Sequence, residues 1–278
     1  MSPNNKINQE SIRQHYNKVA QKFYGQPRDY SDRMIERIKI PPNMCVLDIG
    51  CGAGNFTFEI EQRYSPKKII GLDFSENLIN IAKHIQKKKG IKAIEFVHGD
   101  ATSLEFEDNL FDVVLSNMVL HLMNNQRRVL SEAYRVLKPA CSAVFCFQGQ
   151  RPIAPEYFKL VIDSYRQVLP DRDFPHIFNI IQLTDLDAWM KEMNIESFRV
   201  DWQSRTLNAD RKKFDYYINW FDLVSGFWRA DLSASEVEAV ESLLKEKIDE
   251  HFSVNQLFKF SWNNIILMFT KNALLKDT

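Results

Sequence analysis

The sequence predicts an α/β protein whose doubly wound, mostly parallel sheet of seven strands is covered by helices on both faces. From residue 44 onward, short β-branched apolar runs alternate with amphipathic helical segments, and this alternation is typical of a parallel sheet. The first run, Cys45 to Ile49, leads through three closely spaced glycines into a helical pattern. Right-handed connections bring the carboxyl ends of the parallel strands to one edge of the sheet, where ligands bind in such folds. We therefore expect a binding site at that edge.

Two helices are expected ahead of the first strand, and they would form an N-terminal helical cap. The first covers residues 8–24 and ends at Gly25, because its apolar residues fall on one helical stripe. The second is short and stops before Pro41 and Pro42, since proline cannot continue a helix. The stripe of the first helix consists of Ile12, Tyr16, Val19, Ala20 and Phe23, and the second helix contains Met34, Ile35 and Ile38.

The periodicity of the remaining chain predicts its other elements. Strands are expected at 45–49, 68–73, 94–99, 111–116, 142–147, 198–205 and 258–270. Helices are expected after the glycines, at 76–88, at 125–138, in a region that Pro152 and Pro155 open and that runs through Tyr165, from an N-cap at Thr184 to near Asn194, and at roughly 208–228 and 234–251.

No internal repeat or low-complexity linker divides the sequence, so we expect one domain over residues 1–278. Its parts would be the helical cap (1–42), a core that carries the site (43–150), helices and a strand (151–206), a helical lid (207–254), and a closing strand with a tail (255–278).

The glycine turn itself, Gly50-Cys51-Gly52-Ala53-Gly54, indicates a nucleotide site. Glycines allow positive φ and let a ligand approach bare backbone, while the following helix offers unpaired N–H groups. The phosphate-loop ending Gly-Lys-Ser/Thr is missing, and Asn55 stands where a dinucleotide site needs its third glycine. A tight turn in any α/β protein is the alternative. With Asp48 two residues before Gly50, the stretch resembles motif I of the class I S-adenosylmethionine-dependent methyltransferases, whose fold is Rossmann-like.

The tips of the next strands carry groups that suit an adenosyl ligand. Asp73, followed by Phe74, ends the second strand 19 residues after Gly54 (73 − 54), where a carboxylate reaches ribose hydroxyls. The alternative for Asp73 is a helix N-cap, which Ser75 could supply instead. The resemblance implies that Asp100 accepts from the adenine amino group and that the N–H of Ala101 meets a ring nitrogen.

The resemblance also implies contacts outside these tips. Asn117 and Met118, at the end of the fourth strand, would lie beside the methionine part of the cofactor. The N-terminal segment is similar to one that closes over the cofactor in small-molecule methyltransferases, with aromatic residues at the positions of Tyr16 and Tyr24. Core packing is the alternative for either tyrosine, and Tyr24 could also meet the substrate.

Two further features concern the methyl acceptor. His121 follows the fourth strand and could orient an acceptor or take its proton, or it could simply pack at a helix start. In the resembled family the last two strands form a hairpin-like edge, so the helices at 208–251 would be a lid inserted before the last strand. One face of this lid carries Tyr216, Trp220 and Phe227, which could form an aromatic ligand wall.

The composition of the sequence narrows the expected partners, metal content and location of the protein. Lys plus Arg and Asp plus Glu both number 36, so no net charge favours nucleic acid or an anionic membrane as partner. The four cysteines include no Cys-x-x-Cys pair, so we expect no metal, and a polar N-terminus predicts a cytoplasmic protein.

We expect direct in-line transfer of a methyl group from S-adenosylmethionine to oxygen or nitrogen of a small, largely apolar or aromatic metabolite, which leaves S-adenosylhomocysteine. The alternatives are a protein or nucleic-acid methyltransferase and a non-catalytic adenosylmethionine-binding protein. The sequence leaves the acceptor and the oligomeric state open.

Overall fold

A seven-stranded sheet organises the structure, a computed structural model that describes residues 9–23, 34–149, 155–175 and 180–273. Its strands are β1 (Cys45–Ile49), β2 (Lys68–Asp73), β3 (Ile94–His98), β4 (Phe111–Asn117), β5 (Leu137–Gln148), β6 (Ser197–Ala209) and β7 (Phe258–Thr270). They lie in the order β3-β2-β1-β4-β5-β7-β6. Strands β1 to β5 are parallel, and β7 runs antiparallel between β5 and β6. The predicted doubly wound, mostly parallel sheet of seven strands is confirmed.

Helices cover both faces of this sheet. They are α1 (Gln9–Phe23), α2 (Asn55–Tyr64), α3 (Glu76–Lys89), α4 (Gln126–Val136), α5 (Pro155–Val168), α6 (Leu183–Glu192), α7 (Arg211–Ser225) and α8 (Ala234–Val254), with short 3₁₀ turns at Leu120–Leu122 and Gly226–Arg229. None of the helices in the described ranges combines the length and apolar character needed to cross a bilayer.

Strand β5 shows why the sheet needs cover on both sides. Its residues alternate between faces, and both sets are buried. Phe145 and Phe147 belong to the apolar cluster under α4 and α6, whereas Val144 and Cys146 belong to the cluster under α2 and α3. The chain order reverses between β1 and β4, each of which pairs with the other, and this is the point where ligands bind in open α/β sheets.

The boundary between α4 and β5 differs from the expectation of a helix to residue 138 and a strand from 142. The helix ends at Val136, and β5 begins at once because Leu137 pairs with Phe111 of β4. Beyond it, the N–H of Ala140 donates to Lys271 at 2.9 Å, and the N–H of Lys271 donates to Cys141 at 2.9 Å. Pairing between strands thus replaces the last helical turn that the periodicity predicted.

The N-cap of α6 is also different, since Gln182 rather than Thr184 occupies it. Gln182 forms a capping box with Asp185, in which each side chain accepts from the backbone N–H of the other residue. A carboxylate three residues after the cap therefore decides the start of this helix.

The lid (α7, the turn at 226–229, and α8) is inserted between β6 and β7, as expected. It packs on the sheet through a third apolar cluster that includes Phe214, Trp228, Val240, Phe258 and Phe260. The strands beside it are long: β6 reaches Ala209 instead of ending at 205 and pairs with β7 throughout.

Helix α1 crosses the edge of the sheet where the strands end. Ile12, Tyr16 and Ala20 pack against Ala53 of the glycine turn and Phe158 of α5. Of the second predicted helix, the structure describes only the end, where Met34 and Ile35 are fully buried. The division of the chain into one domain with these parts stays a prediction.

Candidate active site

The glycine turn joins β1 to α2, and its glycines all have positive φ: 74° at Gly50, 55° at Gly52 and 82° at Gly54. A Cβ atom on Gly50 would lie 2.4 Å from the side chain of Val119, and one on Gly54 would lie 2.7 Å from Phe96. These two positions therefore exclude larger residues by contact as well as by conformation. At Gly52, in contrast, nothing stands within 4 Å of the added atom. This side of the turn is open.

The backbone of the turn is tied to β2. The N–H groups of Gly50 and Cys51 both donate to the carbonyl of Leu72, at 2.7 and 3.0 Å. The Cys51 side chain is buried, and burial raises the pKa of its thiol well above the usual value, so it stays protonated. Cys51 thus serves the packing of the turn.

Asp73 lies at the tip of β2 and binds the turn from the other side. Its two carboxylate oxygens accept from the backbone N–H groups of Gly52 and Ser75, each at 2.9 Å. Burial raises the pKa of Asp73 to about 6, although these two hydrogen bonds oppose the rise. Ser75 caps α3, since its hydroxyl accepts from Leu78 at 3.3 Å. Asp73 is therefore not needed as the cap.

Asp48 lies behind the turn. It is buried, and the Thr57 hydroxyl of α2 donates to its carboxylate at 2.6 Å. Burial raises the pKa of Asp48 to about 7, and the charge of Asp73 adds to the rise. Because Asp48 joins β1 to α2 across the glycines, it fixes the shape of the turn. That geometry supports a positioning role, and its direct contact with a cofactor stays a prediction.

A cleft of about 450 Å³ opens beside these groups. Gly50, Leu72 and Asp73 line it from the sheet, and residues of α1 line it as well. The remaining lining includes Phe74, His98, Gly99, Asp100, Ala101, Thr102, Val119, Leu122, Met123, Asn124 and Asn125. The cleft therefore brings together the tips of β2 and β3 and the loop after β4, as the strand order requires.

The predicted adenine residues lie in this cleft. Asp100 is exposed, and its carboxylate accepts from the N–H and the hydroxyl of Thr102 at 2.8 and 2.9 Å. These two hydrogen bonds both end on Oδ1 and hold the Asp100 carboxylate in place within a tight turn, so its Oδ2 is available to a ligand. Ala101 is buried beside it, and half-buried Phe74 lies on the wall.

Asn117 is the last residue of β4, and Met118 follows it. Met118 has a positive φ of 60°, and its N–H donates to the carbonyl of Cys146 at 2.7 Å. The side-chain oxygen of Asn117 is buried and has no hydrogen-bond partner. The next residue, Val119, lines the cleft, and the contacts of Asn117 and Met118 with the cofactor stay predictions.

Of the two tyrosines predicted to close over the cofactor, Tyr16 is buried in α1 against the glycine turn. Burial and the charge of Asp73 both raise its pKa, which shows that it stands close to the site. Tyr24 lies outside the described residues. The cleft wall of α1 is formed instead by Gln9, Glu10, Ile12 and Arg13.

His121 lies in the 3₁₀ turn after β4 and is only 4% exposed. The N–H of Gln148 points to its Nδ1 at 3.4 Å, and burial lowers the pKa of His121 to about 3. The ring is therefore neutral at physiological pH and a weak base. This geometry favours packing over acid–base chemistry, and the catalytic role stays a prediction.

Of the three lid residues predicted to contact the acceptor, the structure describes the side chain of Tyr216. Tyr216 is 53% exposed and makes an edge contact with Tyr217, with ring centroids 5.4 Å apart. The side chains of Trp220 and Phe227 lie outside the described part of the structure. The lid does meet the cap, because a Cβ on Gly226 would stand 3.0 Å from the His15 ring of α1.

Comparison with known proteins decides the family. Residues 40–148 match a methyltransferase domain family. The demethylmenaquinone methyltransferase of Lactococcus lactis is 32% identical over 59% of this chain and 69% of its own length, and that of Staphylococcus aureus is 29% identical over 60% and 71%. The chain belongs to the class I S-adenosylmethionine-dependent methyltransferases. It is thus an enzyme whose methyl donor is S-adenosylmethionine, as the glycine turn predicted.

Solved structures with the same fold extend the comparison along the chain. The cyclase SpnF covers 97% of this methyltransferase and 98% of its own chain, with a TM-score of 0.63 and 18% identity. A methyltransferase structure from Bacillus halodurans covers 87% and 99%, with a TM-score of 0.58 and 21% identity. At these identities the likeness shows the fold alone.

The residues of the cleft fit the methyl donor by their chemistry. Asp73 and Asp100 offer carboxylate acceptors at neighbouring strand tips, and Leu72 and Ile12 offer apolar contact between them. The open side of Gly52 leaves room for a ligand on the backbone. Within the residues that the structure describes, no three His, Cys, Asp or Glu side chains are grouped so that they could hold a metal ion.

The residues of α1 that line this cleft were not identified from the sequence. Gln9 lines the cleft and donates through Nε2 to the carbonyl of Leu122 at 2.7 Å. Asn17, about two turns further along the helix, ties it to the start of α3, since its side-chain oxygen accepts from the Ser75 hydroxyl at 2.5 Å. The apolar stripe of α1 was the available signal, but it indicates only that the helix packs and not which polar side chains then face the cleft.

Proposed function

We propose that this methyltransferase transfers a methyl group from S-adenosylmethionine to oxygen or nitrogen of a small, largely apolar or aromatic metabolite by direct displacement. The observation that carries this proposal is the position of the helical lid. It is inserted between β6 and β7, packs through an aromatic cluster, and meets α1, which also lines the methyl-donor cleft. An acceptor site enclosed between this lid and the cleft would suit a small molecule better than a folded protein or a duplex.

The names of similar proteins give one compound to test. Demethylmenaquinone is the acceptor in the names of the Lactococcus lactis and Staphylococcus aureus relatives. Their identity of about 30% over about 60% of this chain supports a small-molecule acceptor here without naming it.

The methyl donor would be held by residues at the carboxyl ends of β2, β3 and β4. Asp73 would accept from the ribose hydroxyls, and Asp100 with the N–H of Ala101 would bind the adenine edge. Asn117 and Met118 would contact the methionine part. When bound, S-adenosylmethionine supplies a methyl group that its sulfonium has already activated.

The remaining task of the protein is to place the acceptor in line and to exclude water. A base is required only if the attacking atom carries a proton at working pH. His121 is poorly suited to that role because its pKa lies near 3 and its ring is buried. The geometry therefore favours catalysis by positioning, for an acceptor that ionises by itself or loses its proton to water.

Labelled S-adenosylmethionine tests the proposal. The enzyme would be incubated with demethylmenaquinone, with panels of aromatic acids, phenols and amines, and separately with peptides and RNA. We expect the label in a small-molecule product identified by mass spectrometry. Label found only in peptide or RNA would contradict the proposal.

A further inference from the structure

Three amide side chains near the end of β4 carry buried polar atoms that have no hydrogen-bond partner. Gln148 is 1% exposed, and neither its Nε2 nor its Oε1 is bonded. Asn264 is 4% exposed, and its Oδ1 is unbonded, as is the buried Oδ1 of Asn117. Buried polar groups are nearly always paired, so these four atoms, out of six unpaired buried side-chain atoms among the described residues, call for an explanation. A ligand is the usual one where the groups converge.

The sheet register brings these amides together. Gln148 of β5 stands directly opposite Asn264 of β7, so their Cβ atoms lie about 5 Å apart. Asn117 of β4 stands opposite Cys146 of β5. Cys146 lies two residues before Gln148, so both side chains are on the same face of the sheet. All three continue the sheet face that carries Leu115, Val144 and Ile266, since residues two apart on a strand share a face. They therefore form one continuous surface, here called the amide wall.

The amide wall lies at the same edge of the sheet as the methyl-donor cleft. Asn117 and Gln148 end β4 and β5, and Asp73 of the cleft ends β2, so these three residues stand at the carboxyl ends of parallel strands. Asn117 is two residues from Val119, which lines the cleft beside Gly50. An acceptor bound against the wall would thus stand at the same edge as the donor.

Charged groups beside the wall are paired with one another. Asp201 of β6 lies 3.4 Å (Oδ2 to Nε) from Arg37 and 2.7 Å (Oδ1 to Nε) from Arg199. It stands opposite Ile266 of β7, two residues along that strand from Asn264. Gln203 of β6, opposite Asn264, is half-buried and uncharged. The three amides of the wall therefore offer donors and acceptors that carry no charge themselves. Such a surface suits neutral hydroxyl, carbonyl or amide groups and disfavours a carboxylate or phosphate.

We propose that Gln148 and Asn264 are specificity-determining residues that bind neighbouring uncharged polar substituents on the ring of the methyl acceptor, while Asn117 beside them contacts the methionine part of the donor. The amide N–H groups donate to a carbonyl or hydroxyl oxygen, and the amide oxygens accept from a hydroxyl. This inference rests on the proposed function and narrows its acceptor to a largely apolar ring with at least two neutral polar groups.

Three small probes test the wall without knowledge of the natural acceptor. Catechol carries two neighbouring neutral hydroxyls, toluene carries none, and salicylate replaces one by a carboxylate. Their binding to the full-length enzyme saturated with S-adenosylhomocysteine would be measured by NMR titration. We expect catechol to bind at least about tenfold more tightly than either other probe, since a matched polar site rejects analogues that leave its groups unpaired.

Single substitutions test whether the amide wall causes the preference for catechol. Gln148→Leu and Asn264→Leu should each abolish the preference for catechol while leaving the affinity for S-adenosylhomocysteine unchanged. Because Gln148→Leu removes unpaired atoms, its melting temperature should equal or exceed that of the wild type. If this variant does not fold, Gln148→Met and Asn264→Leu carry the test. Gln86→Leu is the matched control, since the Gln86 amide donates to Ile91 at 3.1 Å far from the wall. It should lower the melting temperature and leave the preference intact.

Two results would overturn the inference. One is an unchanged preference for catechol in folded Gln148→Leu and Asn264→Leu. The other is tighter binding of salicylate than of catechol to the wild type. Both are independent of turnover, so a failure to methylate any small molecule would refute the proposed function without being mistaken for a failure of the wall.

Discussion

Replacing Asp73 by asparagine tests the centre of the proposed donor site, because it removes one charge and keeps the size of the side chain. The carboxylate accepts from two backbone N–H groups at 2.9 Å, those of Gly52 and Ser75. Asparagine keeps one acceptor oxygen for them, whereas alanine would leave both groups unpaired. Asp73→Asn is therefore a cleaner variant than Asp73→Ala.

The effect of Asp73→Asn on stability follows from the pKa of the carboxyl group. Burial raises this pKa from 3.8 to about 6, and the net rise already includes the two hydrogen bonds that oppose it. It corresponds to a cost of about 3 kcal/mol for holding the charge at pH 7. We expect the uncharged variant to recover part of this cost, so its free energy of unfolding at pH 7 should equal that of the wild type or exceed it by up to about 3 kcal/mol. Urea denaturation without ligand measures it.

The affinity for the methyl donor should fall. Loss of a charged acceptor for the ribose hydroxyls would weaken binding of S-adenosylmethionine and S-adenosylhomocysteine about ten- to hundredfold. Isothermal titration calorimetry at pH 7 measures both ligands. Asp210→Asn is the control, because the Asp210 carboxylate also accepts a backbone N–H, that of Lys213 at 2.9 Å, but at the start of α7. A folded Asp73→Asn enzyme with wild-type affinity would refute the assignment of Asp73 to the ribose.

The pH dependence gives the same residue a second test. Its folded pKa is raised, so its contribution to stability is fully present below the unfolded value of 3.8 and is lost as the pH rises through about 6. The wild type should therefore gain stability relative to Asp73→Asn between pH 7 and pH 4. Donor affinity should move the other way, falling below pH 6 in the wild type only, because protonation removes the charged acceptor.

The remaining predictions concern the turn, the adenine contact and the buried histidine. Gly50→Ala should fail to fold or lose donor binding, because its Cβ would lie 2.4 Å from Val119, whereas Gly52→Ala should fold and show weaker donor binding by calorimetry. Asp100→Ala should weaken donor binding about tenfold with a stability change under about 1 kcal/mol, since the residue is exposed. The pKa of His121 is lowered to about 3, so its contribution to stability is present above 6.5 and lost on acidification. Urea denaturation should show the wild type losing about 2 kcal/mol relative to His121→Gln between pH 7 and pH 5.

The donor half of the site was predictable because each of its parts is local. Asp73 and Asp100 follow apolar runs that are recognisable as strands, and parallel topology then places both at one edge. The positive φ values of Gly50 and Gly54 follow from their spacing in a strand-to-helix turn. None of these inferences needs knowledge of which helix packs where.

Features that depend on packing between distant segments were not predictable in this way. The wall that Gln9 and Arg13 give to the cleft depends on how α1 docks across the sheet edge. The burial of His121 depends on the end of β5, which supplies the N–H of Gln148. A sequence shows that a histidine follows a strand, but its solvation decides whether it titrates near pH 6.5 or far below.

The donor cleft and the amide wall are therefore formed by different kinds of contact. This difference affects how substitutions can change the choice of acceptor. The donor half draws on consecutive strand tips and is constrained by backbone contacts, such as that between Asp73 and Gly52. The amide wall draws on Asn117, Gln148 and Asn264, which become neighbours only because β7 returns antiparallel beside β5. Their unpaired atoms make no hydrogen bond to any other part of the described structure. Substitution at the wall can thus alter which neutral groups are accepted while the donor cleft, anchored through β1 and β2, stays unchanged.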